Sequence, residues 1–115
     1  MLKIFGIKNC DTMKKAMAEL DQLGHAYEFH DYKKEGIDAT TLGVWVAALG
    51  LDTLLNKRGT TWRSLDPEQQ KQADTTEGAI ALMQANPSLI KRPVLQGDGL
   101  LECGFKPGDY QGIMS

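Results

Sequence analysis

Between Met1 and Tyr32 the hydrophobic period changes twice, and this restricts the fold more than any other feature of the chain. Leu2, Ile4, Phe5 and Ile7 put apolar side chains on both alternations of an extended segment, as in a strand covered on both faces. From Asp11 or Thr12 the spacing becomes helical: Met13, Ala16, Met17 and Leu20 fall at i, i+3, i+4 and i+7, and Gly24 supplies a stop. His25 to Tyr32 then alternates aromatic and polar residues as a second strand. Strand, helix and strand in so short a stretch make a βαβ unit, which crosses over right-handed.

Cys10 sits where the first strand gives way to the helix. Unpaired amides and the positive dipole end of a helix favour an anion there, so a thiol at that place is expected to ionise easily and act as a nucleophile. Lys8, Lys14 and Lys15 add nearby positive charge. The competing reading is a small buried apolar cysteine. Thr12 either donates its hydroxyl to the thiolate or caps the helix, and Asn9 either orients the loop or forms its turn. Asp11 suits the site only if its carboxylate points away toward the helix.

The middle of the chain, about residues 37–86, reads as helix. Lys33 to Gly36 is a charged turn, Asp38 an N-cap, and Leu42, Trp45, Val46 and Leu49 repeat the helical spacing up to Gly50. Leu51 to Asn56 is a short helical segment, and Lys57 to Arg63 a basic loop. A helix starts after Asp66-Pro67; another is opened by Asp74 and Glu77 as a capping box and carries Ala79, Ile80 and Met83 inward. Strand character returns with Pro93-Val94-Leu95, an Asp98-Gly99 turn and Leu100 to Phe105; Pro107 then opens a last helix that packs Tyr110 and Ile113. The expected architecture is one α/β domain over residues 1–115. It is a thioredoxin-like fold, a four-stranded mixed sheet (βαβ plus ββα) with a helical insertion.

No window approaches a membrane-spanning run and no leader pattern opens the chain, so a cytoplasmic protein without membrane partners is expected. A net charge of −2 gives no footprint for nucleic acid. The two cysteines make neither a metal-ligand spacing nor a disulfide framework, and His25 and His30 read as structural. No metal or bound cofactor is expected, and the chain is expected to act as a monomer. In Cys10-Asp11-Thr12-Met13 the fourth position lacks the second thiol of a dithiol motif. A mixed disulfide at Cys10 therefore needs an outside thiol, and glutathione is the abundant cytosolic candidate. Cys103 is either an internal resolving thiol or a buried structural one; Trp45, Trp62, Met17 and Met83 read as core.

Cys10 after the first strand, Leu54-Leu55-Asn56-Lys57-Arg58-Gly59, and Pro87-Ser88-Leu89-Ile90-Lys91-Arg92-Pro93-Val94 together resemble the arsenate-reductase-like (ArsC) family. Gly-Ile-Lys-Asn-Cys-Asp-Thr and Arg-Gly-Thr-Thr-Trp are closest to its YffB branch, with Spx regulators more distant. The resemblance implies that Cys10 is the nucleophile, that Arg92 contacts an oxyanion, and that Pro93 is a cis-proline facing the cysteine. It also shows departures: Asn56 stands at the place of the first of three family arginines, with Lys57 and Arg58 just after it, and Lys106 at the place of the third. Lysine keeps the charge but lacks the planar fork suited to a tetrahedral oxyanion. The expected function is thus a glutathione-dependent thiol (disulfide) reductase acting on a small or protein disulfide. Lys8, Asn9, Thr12, Lys57, Arg58, Arg92, Pro93 and Lys106 form its expected substrate- or anion-binding set. The alternatives are an arsenate reductase coupled to glutathione and glutaredoxin, and a Spx-like RNA polymerase-binding regulator without enzyme activity.

Overall fold

The computed structural model describes residues 1–114. In chain order the elements are β1 (Leu2–Gly6), α1 (Asp11–Gln22), β2 (Tyr27–Asp31), α2 (Tyr32–Glu35), α3 (Ala39–Leu49), α4 (Leu51–Leu54), α5 (Thr60–Ser64), α6 (Pro67–Gln72), α7 (Thr76–Ala85), a 3-10 turn (Pro87–Leu89), β3 (Val94–Gly97), β4 (Leu100–Cys103) and α8 (Asp109–Met114). They fall into two compact units, one formed by Met1–Glu35 with the segment from Arg92 onward, the other by Gly36–Lys91.

The first unit is built on a sheet of order β2-β1-β3-β4, parallel between β1 and β2 and antiparallel elsewhere. Its register sets two rows across all four strands. His30, Phe5, Val94 and Cys103 form one, and Phe29, Ile4, Leu95 and Glu102 the next, so the rows face opposite sides of the sheet. On the Ile4 side, Met13, Ala16 and Leu20 of α1 and Tyr110 of α8 close a core with Leu2, Ile4 and Leu95. Each large apolar side chain enclosed there contributes about 1.5–3 kcal/mol. Asp98 (φ 52°) and Gly99 (φ 81°) take the two left-handed positions of a tight hairpin turn between β3 and β4.

One carboxylate ties the two helices of this face together. Glu19 on α1 accepts hydrogen bonds from the backbone N–H groups of Gly108 (2.7 Å), Tyr110 (2.9 Å) and Gln111 (3.3 Å), the amides that open α8. The fit seats Tyr110 in the core at 1% exposure, whereas Ile113, expected to pack, is 40% exposed. The second strand also ends earlier than expected. Asp31 accepts the Lys33 N–H at 3.0 Å and turns the chain, so Tyr32 to Glu35 is a single helical turn instead of strand end and loop.

In the second unit Asp38 caps α3 through the Thr41 N–H at 2.6 Å, and Leu42 and Trp45 are enclosed beneath it. The capping box lies at Asp66 and Gln69, not at Asp74 and Glu77. Helix α7 starts at Thr76, one residue too late for Asp74, and Thr75 caps it through the Gly78 N–H at 3.0 Å. Its buried face is Ala79, Leu82 and Met83, leaving Ile80 half-buried. The basic loop shrinks to residues 57–59 because α5 begins at Thr60. A bridge between Leu55 and Ile90 closes this unit, flanked by Asn56 N–H to Leu89 O and Lys91 N–H to Leu54 O. No helix among the described residues is long and apolar enough to cross a membrane.

Replacing Glu19 by Ala removes the acceptor for three α8 amides. The expected result is faster hydrogen exchange at Gly108, Tyr110 and Gln111 and a loss of about 1–3 kcal/mol in urea unfolding, with α1 still helical by circular dichroism.

Candidate active site

The chain leaves β1 at Gly6 and reaches α1 through a short loop in which Asn9 adopts φ 67°, a left-handed conformation that asparagine tolerates better than most residues. Asn9 thus serves as the turn former. Cys10 follows as the N-cap residue of α1, with extended backbone (φ −97°, ψ 128°), and is half-buried. Its sulfur makes no short cap bond of the kind that Asp38 makes, so the amides beyond it act mainly on the ionised form. Burial alone pushes the thiol's pKa up. The N–H groups of Met13 and Thr12, and then the hydrogen bond and charge of the Arg92 guanidinium, outweigh that, and Cys10 titrates below its ordinary value. At Thr12 it is the backbone amide that lowers the thiol.

Arg92 reaches the sulfur from the opposite end of the sheet sequence. The Arg92–Pro93 bond is cis, as expected, and Pro93 immediately precedes β3. Gly104 N–H donates to Pro93 O at 2.8 Å, holding the end of β4 against the same residue. Pro93 is buried and Arg92 half-buried, with its Nε enclosed. Cys103 is half-buried on β4 opposite Val94, and neither it nor Cys10 is in a disulfide.

Met13 occupies the place of a second motif cysteine and is 1% exposed in the α1 core. It lies against Gly6 so closely that a Cβ added there would run into the Met13 Sδ and Cε atoms. The absence of a dithiol motif is therefore built into the packing: a core side chain fills that place.

The other expected site residues are distributed. Lys8 is exposed and, with Met17, Phe29, Asp31, Lys34 and Glu35, lines a groove of about 550 Å³. Lys106 is exposed, its backbone N–H bonded to the Asp109 carboxylate at 2.8 Å. Lys57 and Arg58 belong to the Gly36–Lys91 unit, where with Asn56 and Lys91 they border a cavity of about 440 Å³. Lys57 Nζ lies 5.3 Å from the half-buried Trp62 ring, and the Asn56 side-chain oxygen accepts the Arg58 N–H at 3.0 Å. Asn56 thus shapes its own loop. Sequence reasoning missed Tyr32, which is 2% exposed and close enough for the Arg92 charge to reach its hydroxyl. A lone tyrosine beside a charged run was its only signal.

The ArsC family model matches residues 5–113. The chain belongs to the ArsC family. Members close to it in sequence include a solved protein named YffB, 49% identical, with all of both chains covered and a TM-score of 0.91. An arsenate reductase (ArsC) related protein from Brucella melitensis is 50% identical over 96% of this chain and 92% of that one, with a TM-score of 0.75. An uncharacterised protein of Haemophilus influenzae is 41% identical over 111 residues, 96% of each chain. The arsenate reductase from Vibrio cholerae, at 19% identity and a TM-score of 0.79 over 98% of this chain and 97% of its own, shares the fold. The ArsC assignment and the mixed four-stranded sheet bear out the expected family and the thioredoxin-like α/β class. ArsC proteins form a thiol-based reductase family.

Arg92 lowers the Cys10 pKa, so Arg92→Ala is expected to raise it. At about pH 6.5, below the ordinary thiol range, iodoacetamide labelling of Cys10 should slow roughly threefold to thirtyfold; above about pH 9.5 the two proteins should react alike.

Proposed function

We propose that this chain is a glutathione-dependent thiol reductase whose single nucleophile is Cys10. The observation that carries the reading is the pairing of a half-buried, acidified Cys10 with a buried Met13 where a second thiol would stand. The Cys10 thiolate attacks one sulfur of a substrate disulfide, the S–S bond breaks, and the other sulfur leaves as a thiolate that takes a proton from solvent. A glutathione thiolate then attacks the substrate sulfur of the mixed disulfide, its bond to Cys10 breaks, and Cys10 leaves as a thiolate, giving a substrate–glutathione mixed disulfide that a second turnover reduces. Where the substrate is itself a glutathione mixed disulfide, Cys10 takes the glutathionyl sulfur, and the second step yields oxidised glutathione and regenerates the Cys10 thiolate. Two glutathione-level electrons reduce one disulfide.

Arg92 acts in both steps by stabilising the anionic sulfur as leaving group and as nucleophile. Lys8, two residues before Cys10, supplies a counter-charge for a substrate carboxylate; Lys57, Arg58 and Lys106 are the remaining candidates for anion binding. Pro93 borders the site on the β3 side, and the Thr12 amide with the Asn9 turn presents the sulfur. Glutaredoxin is the protein partner this chemistry would use where glutathione alone is slow. Arsenate reduction is the second reading, favoured by the guanidinium bonded to the thiol, an arrangement that suits an oxyanion.

Incubation with oxidised glutathione should add one glutathionyl group to Cys10, seen by mass spectrometry, and excess glutathione should remove it. Cys10→Ser should abolish both the adduct at that position and glutathione-dependent disulfide reduction, while Cys103→Ser keeps most of the activity. Loss of activity in Cys103→Ser with persistence of the Cys10 adduct would instead make Cys103 the resolving thiol. Turnover with arsenate, glutathione and glutaredoxin tests the second reading.

A further inference from the structure

Tyr32 is enclosed at 2% exposure, and its hydroxyl has no hydrogen-bond partner among the described residues. An unpaired buried hydroxyl carries a desolvation cost that a phenylalanine of the same shape would not incur. The ring is well seated: its centroid lies 6.4 Å from that of Phe5 and 6.0 Å from that of His30. Phe5 and His30 begin the sheet row that continues through Val94 to Cys103, and Arg92 lies two residues before Val94, just ahead of β3. The charges that reach the hydroxyl belong to Cys103 and Arg92; burial and Cys103 outweigh Arg92 and keep the phenol protonated. Its oxygen therefore offers neutral lone pairs within reach of the charge of the guanidinium that acts on Cys10.

We propose that Tyr32 is a positioning residue for Arg92: its hydroxyl oxygen accepts a hydrogen bond from the guanidinium in the reacting enzyme and holds that group against the Cys10 sulfur. This inference rests on Cys10 being the nucleophile. An arginine side chain has many rotamers, so an acceptor that fixes it raises the share of molecules in which the charge faces the thiolate. The acceptor is uncharged, so it orients the cation without neutralising it for an anionic substrate.

Tyr32→Phe keeps the ring stack and removes only the oxygen. The expected result is a rise of about half a unit to one unit in the Cys10 titration, read as a threefold to tenfold slower alkylation at about pH 6.5, with wild-type rates recovered above about pH 9.5. In an Arg92→Ala background the same substitution should have no further effect on that rate. A Cys10 titration unchanged by Tyr32→Phe, or an equal slowing in both backgrounds, overturns the proposal. The urea midpoint of each variant separates a packing loss from the orienting effect. Nitrogen-15 NMR of the wild-type protein gives a second reading: the Arg92 guanidinium N–H signals should exchange slowly with water and should exchange faster in Tyr32→Phe, and equal exchange overturns the proposal. If wild-type Cys10 titrates as an ordinary thiol, the nucleophile reading fails first, and this inference falls with it.

Discussion

The backbone amides of Thr12 and Met13 and the guanidinium of Arg92 act on one sulfur from two elements that are far apart in the chain, and the site depends on both arriving together. The amides come without further construction once α1 starts at Asp11, because the first N–H groups of any helix lack intrahelical acceptors. The guanidinium arrives only because β3 pairs antiparallel with β1, which brings the residue before Pro93 to the end of the strand from which Cys10 departs. Burial opposes ionisation of the thiol and these donors reverse it, so the balance depends on the sheet register as much as on the charge.

The surrounding structure protects that balance by fixing α1 in place. Met13, Ala16 and Leu20 are enclosed on one side of the sheet, and Glu19 is committed to three amides of α8. A helix anchored along its length cannot move its first turn away from Cys10 without opening the core. The tight approach of Met13 to Gly6 does the same at the start of the helix. It also has a chemical consequence, since a side chain required for packing occupies the place of a second thiol. The proposed glutathione reading rests on that occupied place, since a mixed disulfide at Cys10 finds no second thiol on the same helix turn.

The opposite row of the sheet, His30, Phe5, Val94 and Cys103, differs in character from the aliphatic side that packs α1. Aromatic rings pack there, Cys103 closes the row, and Tyr32 adds a buried hydroxyl that the Arg92 charge reaches. Polar atoms enclosed without full partners are uncommon in stable cores and collect where a group must be held ready for a ligand or a neighbour.

Local patterns in the sequence determined a good deal. The two period changes before Tyr32 mark β1, α1 and β2, Asp38 and Asp66-Pro67 mark helix starts, and Asp98-Gly99 marks the hairpin, because each signal acts over a few residues and obeys backbone geometry or capping chemistry alone. Cys10 at a helix N-terminus was legible for the same reason, and Arg92 and Pro93 were legible through their family wording. Tertiary structure decided what depends on distant partners. It left Ile113 exposed while Tyr110 was buried, and it enclosed Tyr32 against the Phe5 ring where the Arg92 charge reaches it. These outcomes turn on which neighbour arrives from another part of the chain, and no local propensity encodes that.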